Sequence, residues 1–402
     1  MLEKLDLALR DALTPGTPPN RGLGSNNILF MACELLLLGS EADGLPLLLI
    51  EEPEAHLHPQ RQLRLIQFLQ EKVQEAREDG QKIQVILTTH SPNLGSAIEL
   101  DNLVLLQGRK GFSLAEGQTE LTKSDYGFLA RFLDVTKANL FFARGVIIVE
   151  GDAENILLPT LARLLERDLT ESGVSIVNVG GVGLRRFARI FQRQDVALDG
   201  EIDVPVACVT DLDVMPDCAP VIIGKVKPGE QWPKGRRWRA KKDFPGRALE
   251  TRRDEIKAKA SGQRVRTFVA NEWTLEYDLA FAGLEKEVWL AAHLAKADDN
   301  INAGKTTIAA AVKDALQSFR QLRAKSLPSE EECSHVYEMF ADGSSVSKAV
   351  AAQYLACILD RSFKKGMLDP ERLNLRLPTY LVEAINHVTC KPDANGTVAQ
   401  GE

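Results

Sequence analysis

Four runs of consecutive apolar residues, rich in Val, Ile and Leu, are spread along the first half of the chain. These runs are LPLLLI (45–50), IQVILT (83–88), GVIIV (145–149) and VPVACV (204–209). Runs without regular polar alternation are typical of parallel strands that are buried on both faces. Segments with a helical pattern, such as 152–166, lie between them. The pattern therefore predicts an α/β fold built on parallel sheets.

The chain is long enough for two domains with full-sized cores. We place the boundary between 1–138 and 139–402. The first part alternates strands with helices and closes with a hairpin around Gly108 to Gly111. The segment 122–143 predicts a connecting helix that leads into the next strand.

Two of the predicted strands deliver carboxylates at their ends. Glu150 follows the strand 145–149, and Glu154 lies one helical turn later, where the helix dipole favours negative charge. Asp211 and Asp213 follow the strand 204–209, and alternation along a strand would place both on one face. Ligands collect beyond the carboxyl ends of parallel strands, so these acids predict a Mg²⁺ or Mn²⁺ site. The alternative is that they are ordinary strand-end and helix-capping acids.

The apolar run 45–50 is followed directly by Glu51 and Glu52. In this it resembles the Walker B strand of ABC-type ATPases, whose acids hold Mg²⁺ and orient water. His90, after the next strand, resembles the histidine that contacts the γ-phosphate. Ser25, ahead of a long apolar helix, resembles the signature motif that such an ATPase offers to its dimer partner.

The later motifs are similar to the Toprim fold, with its acid and glycine after one strand and its Asp-x-Asp after another. The glycine-rich turn NVGGVG (178–183) adds to this resemblance. Taken together, the chain resembles the OLD-family nucleases, in which an ABC-type ATPase is fused to a Toprim nuclease. The fold class implied is α/β, with the C-terminal lobe of an ABC ATPase followed by a Rossmann-like Toprim sheet.

The resemblance implies two divalent metal ions, Mg²⁺ or Mn²⁺, at a site that Ca²⁺ also occupies. Thr274 and Glu276, in ANEWTLEYDLA (270–280), match the family's late strand-to-helix motif and are candidates for the second ion. Glu272 is the fallback ligand. A capping box at the start of a helix is the structural alternative.

The family also implies a lysine near the scissile phosphate, where it would offset developing negative charge. SKAVAAQYLA (347–356) resembles the family's Lys-x-x-x-Ala helix and identifies Lys348. Lys364 and Lys365 are the other candidates for this lysine. The alternative is that Lys348 is a surface lysine without a role.

The C-terminal part contains a helical, Ala-rich region from about 279 to 345, with breaks near Ser326 to Pro328 and Asp342 to Ser345. NAGKTT (302–307), within it, is the one sequence that looks like a P-loop, but it lacks the first glycine and follows a helical pattern. We expect it to start a helix. ATP binding and homodimer formation are therefore expected only of a longer protein of which this chain is a fragment.

Composition adds a candidate nucleic-acid surface. The net charge is −7, but basic residues dominate Lys225 to Arg266, where Trp232 and Trp238 are interleaved with cations. Such a patch attracts phosphates, and tryptophan stacks on bases. A solvated loop with packed tryptophans is the alternative. The candidate DNA contacts are Lys234, Arg236, Arg237, Arg239, Lys241 and Lys242.

The six cysteines have no paired spacing, which favours reduced thiols in the cytoplasm over disulfides or zinc. No apolar run is long enough to cross a membrane. The sequence thus predicts a metal-dependent DNA endonuclease that is regulated by an ATPase in the full-length protein. The alternative is a DNA-binding or structural ATPase module whose Toprim site only grips nucleic acid. A topoisomerase or primase fits less well, since neither an Arg-Tyr pair nor a zinc ribbon is evident.

Overall fold

The structure of the protein is a computed structural model that describes residues 23–40, 45–76, 80–181, 183–341 and 346–390. The chain folds into two compact units. The first contains the described residues up to Leu103 together with Ala130–Phe142, and the second contains Val104–Leu129 and the residues from Ala143 onward. The two units therefore alternate along the sequence.

The first unit contains a two-stranded parallel sheet and three helices. Its elements are α1 Leu23–Ser40, β1 Leu47–Glu51, α2 Pro59–Gln74, β2 Gln84–Thr88 and α3 Pro92–Ala97, with short helical turns at Leu100–Asn102 and Lys137–Phe142. The register of the sheet pairs Glu51 with Thr88. The amphipathic helix α2 buries Leu65, Ile66 and Leu69 against this sheet.

The second unit is built on a four-stranded parallel sheet with the order β10-β7-β5-β6. All five residues of β5 are buried and four of the five in β7, as the continuous apolar runs predict. The parallel α/β architecture is therefore confirmed. The strands of this unit are β3 Val104–Gln107, β4 Lys110–Ser113, β5 Gly145–Val149, β6 Val174–Asn178, β7 Val206–Thr210, β8 Val214–Met215, β9 Arg239–Ala240 and β10 Val265–Val269.

Helices surround this sheet, and the later ones form a bundle beside it. Helix α14 packs along both α5 and α11, with an ion pair between Arg163 and Asp360 at 2.9 Å. The helices are α4 Lys123–Phe132 (in this unit up to Leu129), α5 Asp152–Leu164, α6 Leu184–Arg189, α7 Val196–Asp199, α8 Ala219–Ile222, α9 Ala248–Ala258, α10 Leu275–Leu279, α11 Glu285–Asn302, α12 Ile308–Arg323, α13 Ser329–Glu338, α14 Lys348–Lys364, α15 Pro370–Asn374 and α16 Thr379–Thr389.

The helical region has the predicted break between α12 and α13, at Ser326 to Pro328. The break predicted at Asp342 to Ser345 lies outside the described residues. Thr307 caps α12, because its Oγ1 accepts a hydrogen bond from the backbone N–H of Ala310 at 3.2 Å. NAGKTT (302–307) is therefore a connection between two helices, as its sequence context predicts.

The connecting segment is less helical than the sequence predicts over 122–143. Helix α4 ends at Phe132, and a separate helical turn starts at Lys137. Asp134 explains the interruption, since its carboxylate accepts hydrogen bonds from the backbone N–H of Lys137 and the hydroxyl of Thr136. Such local side-chain bonds compete with a continuous helix.

The hairpin β3–β4 forms where the sequence predicts it, but it belongs to the second unit and not to the first, and Arg193 fastens it to the rest of that unit. The Arg193 side chain is 2% exposed, donates to the carbonyl oxygen of Ser113 and pairs with Asp199 at 3.2 Å. Its guanidinium also lies over the ring of Phe112. A buried cation with this many partners holds the hairpin firmly in place.

Candidate metal centre

The carboxyl ends of β5 and β7 bring the predicted acids to one edge of the sheet. Glu150 follows β5 and accepts a hydrogen bond from Thr210 Oγ1, the last residue of β7, at 2.8 Å. Burial raises the pKa of Glu150; the Thr210 hydrogen bond opposes this, and the charge of Asp213 adds to it. A Cβ at Gly151 would lie 2.9 Å from Glu154 Oε2, so glycine makes room for that carboxylate in the first turn of α5.

Asp211 lies just beyond β7, and its Oδ1 accepts a hydrogen bond from the N–H of Leu275 at 3.1 Å. Burial raises its pKa well above the usual range, and the charges of Glu276 and Glu154 raise it further. Leu212 is 1% exposed and points into the core.

Asp213 is exposed and is not placed by strand alternation. Because β7 ends at Thr210 and Asp213 has a left-handed backbone (φ 58°), the Asp-x-Asp segment is a turn. The turn is held by the carbonyl oxygen of Trp273, which accepts hydrogen bonds from the N–H groups of Leu212 and Asp213 at 3.0 and 3.3 Å.

Thr274 and Glu276 follow β10 and enter the same edge of the sheet. Glu276 is 7% exposed. Its negative charge helps to raise the pKa values of both Asp211 and Glu154. Thr274 precedes α10 but makes no capping hydrogen bond through its side chain. Its Oγ1 is buried without a hydrogen-bond partner in the described part of the chain. The capping-box alternative therefore does not describe this motif.

Lys348 opens helix α14 and reaches the acids from the helical bundle. Its Nζ lies 2.9 Å from Glu276 Oε2 and 5.5 Å from the centre of the Tyr337 ring. Burial acts to lower the pKa of Lys348, but the charges of Glu276, Tyr337 and Asp211 and the hydrogen bond to Glu276 together outweigh it, and the pKa is raised. Lys364 and Lys365 lie at the other end of α14, about 24 Å away at the helical rise.

These residues fit hard divalent cations. They supply only oxygen ligands, and the orphaned Thr274 Oγ1 is a buried polar atom that a cation or its water shell would satisfy. Among the described residues no three acidic, His or Cys side chains already converge on one point, since Glu276 is paired with Lys348. Mg²⁺ keeps several of its own waters, so direct convergence of every carboxylate is not required.

Asp278 is a buried residue of this centre that the sequence did not identify. It is 2% exposed, and its carboxylate accepts hydrogen bonds from the N–H groups of Glu272 at 3.0 Å and Trp273 at 2.8 Å. Burial raises its pKa to about 6, although these backbone hydrogen bonds oppose the shift. The loop that Asp278 holds carries the Trp273 carbonyl, which in turn holds the Asp-x-Asp turn. The signal in the sequence is a second acid, two residues after Glu276, in the short segment LEYDL (275–279).

The ATPase-like residues lie in the first unit. Glu51 ends β1, and Glu52 has a left-handed backbone (φ 42°) with its N–H bonded to the carbonyl oxygen of Thr88. His90 Nε2 lies 3.5 Å from Glu52 Oε1, and both side chains are exposed. The two strands thus bring these residues together. Ser25 lies in the first turn of α1, and its side chain is outside what the structure describes.

The basic segment Lys225 to Arg266 is folded onto the second unit. Trp232 and Trp238 are half-buried against the core, with their ring centres 4.9 Å apart. Arg236 pairs with Asp243 and lies over both tryptophan rings. These contacts are those expected if the tryptophans pack on the domain, which is the alternative to a DNA-binding surface.

Two lysines of the segment are also engaged. Lys241 pairs with Glu272 at 2.6 Å and with Glu330 at 2.7 Å, which joins a predicted DNA contact to the fallback metal ligand. Lys242 Nζ lies over the ring of Trp232. Of the six predicted DNA contacts, Lys234, Arg237 and Arg239 are exposed and form no ion pair within the described residues.

Comparison with known proteins identifies both units. Residues 141–213 match the family described as "Overcoming lysogenization defect protein-like, TOPRIM domain", and residues 17–94 match "AAA ATPase domain". The matched residues 141–213 contain β5, β6 and β7 of the parallel sheet and end at Asp213, so the sheet with its strand-end acids belongs to the TOPRIM class. The resemblance to the OLD family is confirmed: the chain carries part of an AAA ATPase domain followed by an OLD-like TOPRIM domain.

Several curated proteins are similar over part of the chain. The OLD nuclease of Thermus scotoductus is 26% identical over 177 residues, which are 42% of this chain and 31% of that protein. Endonuclease GajA of Bacillus cereus is 25% identical over 227 residues, 50% of this chain and 32% of that protein. The Old nuclease of Escherichia phage P2 is 31% identical over 34% of this chain and 24% of that protein. The chain thus spans about a third or less of these relatives.

Among solved structures, the C-terminal region of the Burkholderia pseudomallei OLD protein is 22% identical, with a TM-score of 0.32. The match covers 62% of this chain and 98% of that one. No helix in the described part of the chain is both long and apolar enough to cross a membrane.

Proposed function

We propose that the protein is a divalent-metal-dependent endonuclease that cleaves phosphodiester bonds of DNA at the TOPRIM edge of the second unit. The observation that carries the proposal is the ion pair between Lys348 and the buried Glu276 beside Asp211. A cation placed among acids from distant segments suits a site that handles phosphate.

The residues divide between two tasks. Glu150, Glu154, Asp211, Asp213, Thr274 and Glu276 are the proposed metal ligands. Two bound ions would supply an activated water and neutralise the oxygens of the phosphate. Lys348 Nζ, on a side chain that is 42% exposed, offers N–H groups to a phosphate oxygen on which charge develops.

We propose that Glu51, Glu52, His90 and Ser25 act on ATP only in the full-length protein, as a homodimer, and regulate cleavage there. The ATPase-like motifs lie before about residue 138, and the motifs of the proposed nuclease site lie after it.

Plasmid cleavage tests the proposal. We expect the purified chain to nick or linearise supercoiled DNA with Mg²⁺ or Mn²⁺, without ATP, and to leave it intact in EDTA. Glu150→Gln should abolish cleavage, whereas Glu171→Gln, which removes an exposed carboxylate after α5, should not. DNA binding without cleavage under every divalent ion would favour the alternative, a module that only grips nucleic acid.

A further inference from the structure

A cleft of about 500 Å³ opens at the carboxyl ends of β5 and β7. One wall carries the acids of the metal centre, namely Glu150, Asp211 and Asp213. Cations reach the same cleft from helix α6, from helix α9 and from the residue that directly follows α9. These cations are Arg185, Arg186, Arg252 and Lys259.

The cations differ in how far they are already engaged. Arg186 pairs with the buried Asp125 at 3.1 Å and stacks on the Phe128 ring. Arg252 lies 4.0 Å from Glu255, a weak surface contact. Arg185 and Lys259 are exposed and form no ion pair within the described residues. At least two cations are therefore available to a ligand in the cleft.

These cations do not serve to neutralise the acids across the cleft. Among the described residues Arg186 pairs with Asp125 and Arg252 with Glu255, and neither Arg185 nor Lys259 forms an ion pair with Glu150, Asp211 or Asp213. Lys348 enters the metal centre from the helical bundle and pairs with Glu276. Positive and negative charges thus line one cleft without direct ion pairs between them, which leaves both sets of groups available to a ligand in the cleft.

Helices α6 and α9, which carry these cations, are each held in place by contacts within the second unit. Gly183 has a left-handed backbone (φ 97°), and a Cβ there would lie 2.7 Å from the Phe128 ring, so α6 begins in close contact with α4. Helix α9 is tied to the loop of the metal centre, because Arg253 donates to the carbonyl oxygen of Asn271. The cations are therefore held beside the acids by folded structure.

We propose that the phosphodiester backbone of the substrate lies in this cleft, with Arg185 and Lys259 contacting phosphates on either side of the scissile one and Arg252 assisting. The inference rests on the proposed nuclease function and names where its substrate binds. It places the main electrostatic contact away from the segment 234–242, in which Arg236 and Lys241 are already ion-paired.

The test compares two double variants with the same change in charge. Arg185→Gln/Lys259→Gln removes two cleft cations, and Lys234→Gln/Arg237→Gln removes two exposed cations outside it. DNA affinity is measured against salt concentration by fluorescence anisotropy, in Ca²⁺ and in EDTA, on duplex and single-stranded oligonucleotides. We expect the cleft variant to lower the slope of log K against log salt by about 1.8 on duplex, or 0.9 for each lost phosphate contact. The matched variant should leave the slope within a few tenths of the parent's.

A third variant, Arg185→Lys/Lys259→Arg, restores both charges and should restore the slope, which excludes misfolding as the cause. An unchanged slope in the cleft variant, or an equal fall in both glutamine variants, overturns the inference. Because binding is measured apart from cleavage, the two proposals fail separately. If the parent protein binds DNA through the cleft but never cuts it, only the proposed nuclease function is wrong. If it cuts DNA without using the cleft, only the proposed binding site is wrong.

Discussion

The Nζ atom of Lys348 lies 2.9 Å from Oε2 of Glu276, which joins the start of α14 to the start of α10 across 72 residues of sequence. Glu276 is buried and Lys348 is partly open to solvent. The lysine is therefore held at the metal centre by a fixed partner, yet part of its side chain still faces outward. This geometry identifies Lys348, among the candidate lysines, as the one within reach of the acids.

Replacing Lys348 with Ala should slow single-turnover cleavage by about 10²-fold while leaving DNA affinity almost unchanged, because the lysine acts on charge that develops in the transition state. Lys365→Ala, at the far end of the same helix, is the matched control and should cleave at the parental rate. Circular dichroism checks that both variants are folded. A slow Lys365→Ala beside a normal Lys348→Ala would move the assignment to the other lysine.

Replacing Asp211 with Asn should abolish cleavage without destabilising the protein. Asparagine still accepts the hydrogen bond from Leu275, but the buried charge and its repulsion of Glu154 and Glu276 are gone. In EDTA we expect an equal or higher melting temperature than that of the parent. Cleavage retained both in this variant and in Glu150→Gln would show that the active site lies elsewhere.

Metal binding should stabilise the protein more as pH rises. Burial and like charge raise the pKa values of Glu150, Glu154 and Asp211, so the native state binds more protons than the unfolded chain just above the ordinary carboxyl range. Metal-free stability therefore falls as pH rises through the raised pKa values. Cations need the ionised carboxylates, so the Mg²⁺ effect grows over the same range.

Melting temperatures in EDTA and in saturating Mg²⁺, measured between about pH 5 and pH 8, check this linkage. The gap between the two curves should widen with pH and correspond to about 2.7 kcal/mol where Mg²⁺ is at 100 times its dissociation constant. A constant gap, or none, would contradict a metal site made of these acids.

Asp278 should act as a positioning residue for the metal centre. Asp278→Ala removes the acceptor for the N–H groups of Glu272 and Trp273, which loosens the carbonyl that holds the Asp-x-Asp turn. We expect weaker Mn²⁺ binding by calorimetry and a rise in the Mg²⁺ concentration needed for half-maximal cleavage, both partly rescued in Asp278→Asn. Asp298→Asn, which instead loosens a contact with Tyr354 between α11 and α14, is the control. Parental metal affinity in Asp278→Ala would remove this role.

The purified chain should hydrolyse no ATP. Glu52 and His90 stand together, but no P-loop lysine is present in the sequence to hold the β- and γ-phosphates. Phosphate release assays on the parent and on Glu52→Gln should give the same background. Steady turnover in the parent that disappears in Glu52→Gln would contradict this expectation.

The sequence predicts the sheet and most of the metal centre because both depend on local patterns. Continuous apolar runs specify strands buried on both faces, and acids directly after them must lie at one edge of a parallel sheet. The OLD-family resemblance adds Thr274, Glu276 and Lys348, whose helices the structure brings to that edge.

The remaining features depend on contacts between distant segments. The sequence around Arg236 indicates a basic loop, but its pairing with Asp243 and the tryptophans appears only in the folded chain. The role of Asp278 becomes clear only in the structure, where its carboxylate accepts a hydrogen bond from the N–H of Trp273. The left-handed turn at Asp213 is likewise set by Trp273, a residue 60 positions later in the sequence.

The buried Arg193 has a consequence for how the two units can be separated. Sequence motifs suggest cutting near residue 138, yet Ser113 and Phe112 of the hairpin supply partners of this arginine. A fragment that starts at 139 would remove those partners from a buried arginine, leaving it the ion pair with Asp199, and would expose the face on which Phe112 and Leu114 pack. The second unit therefore begins at Val104, and a fusion or a truncation at the motif boundary would divide it.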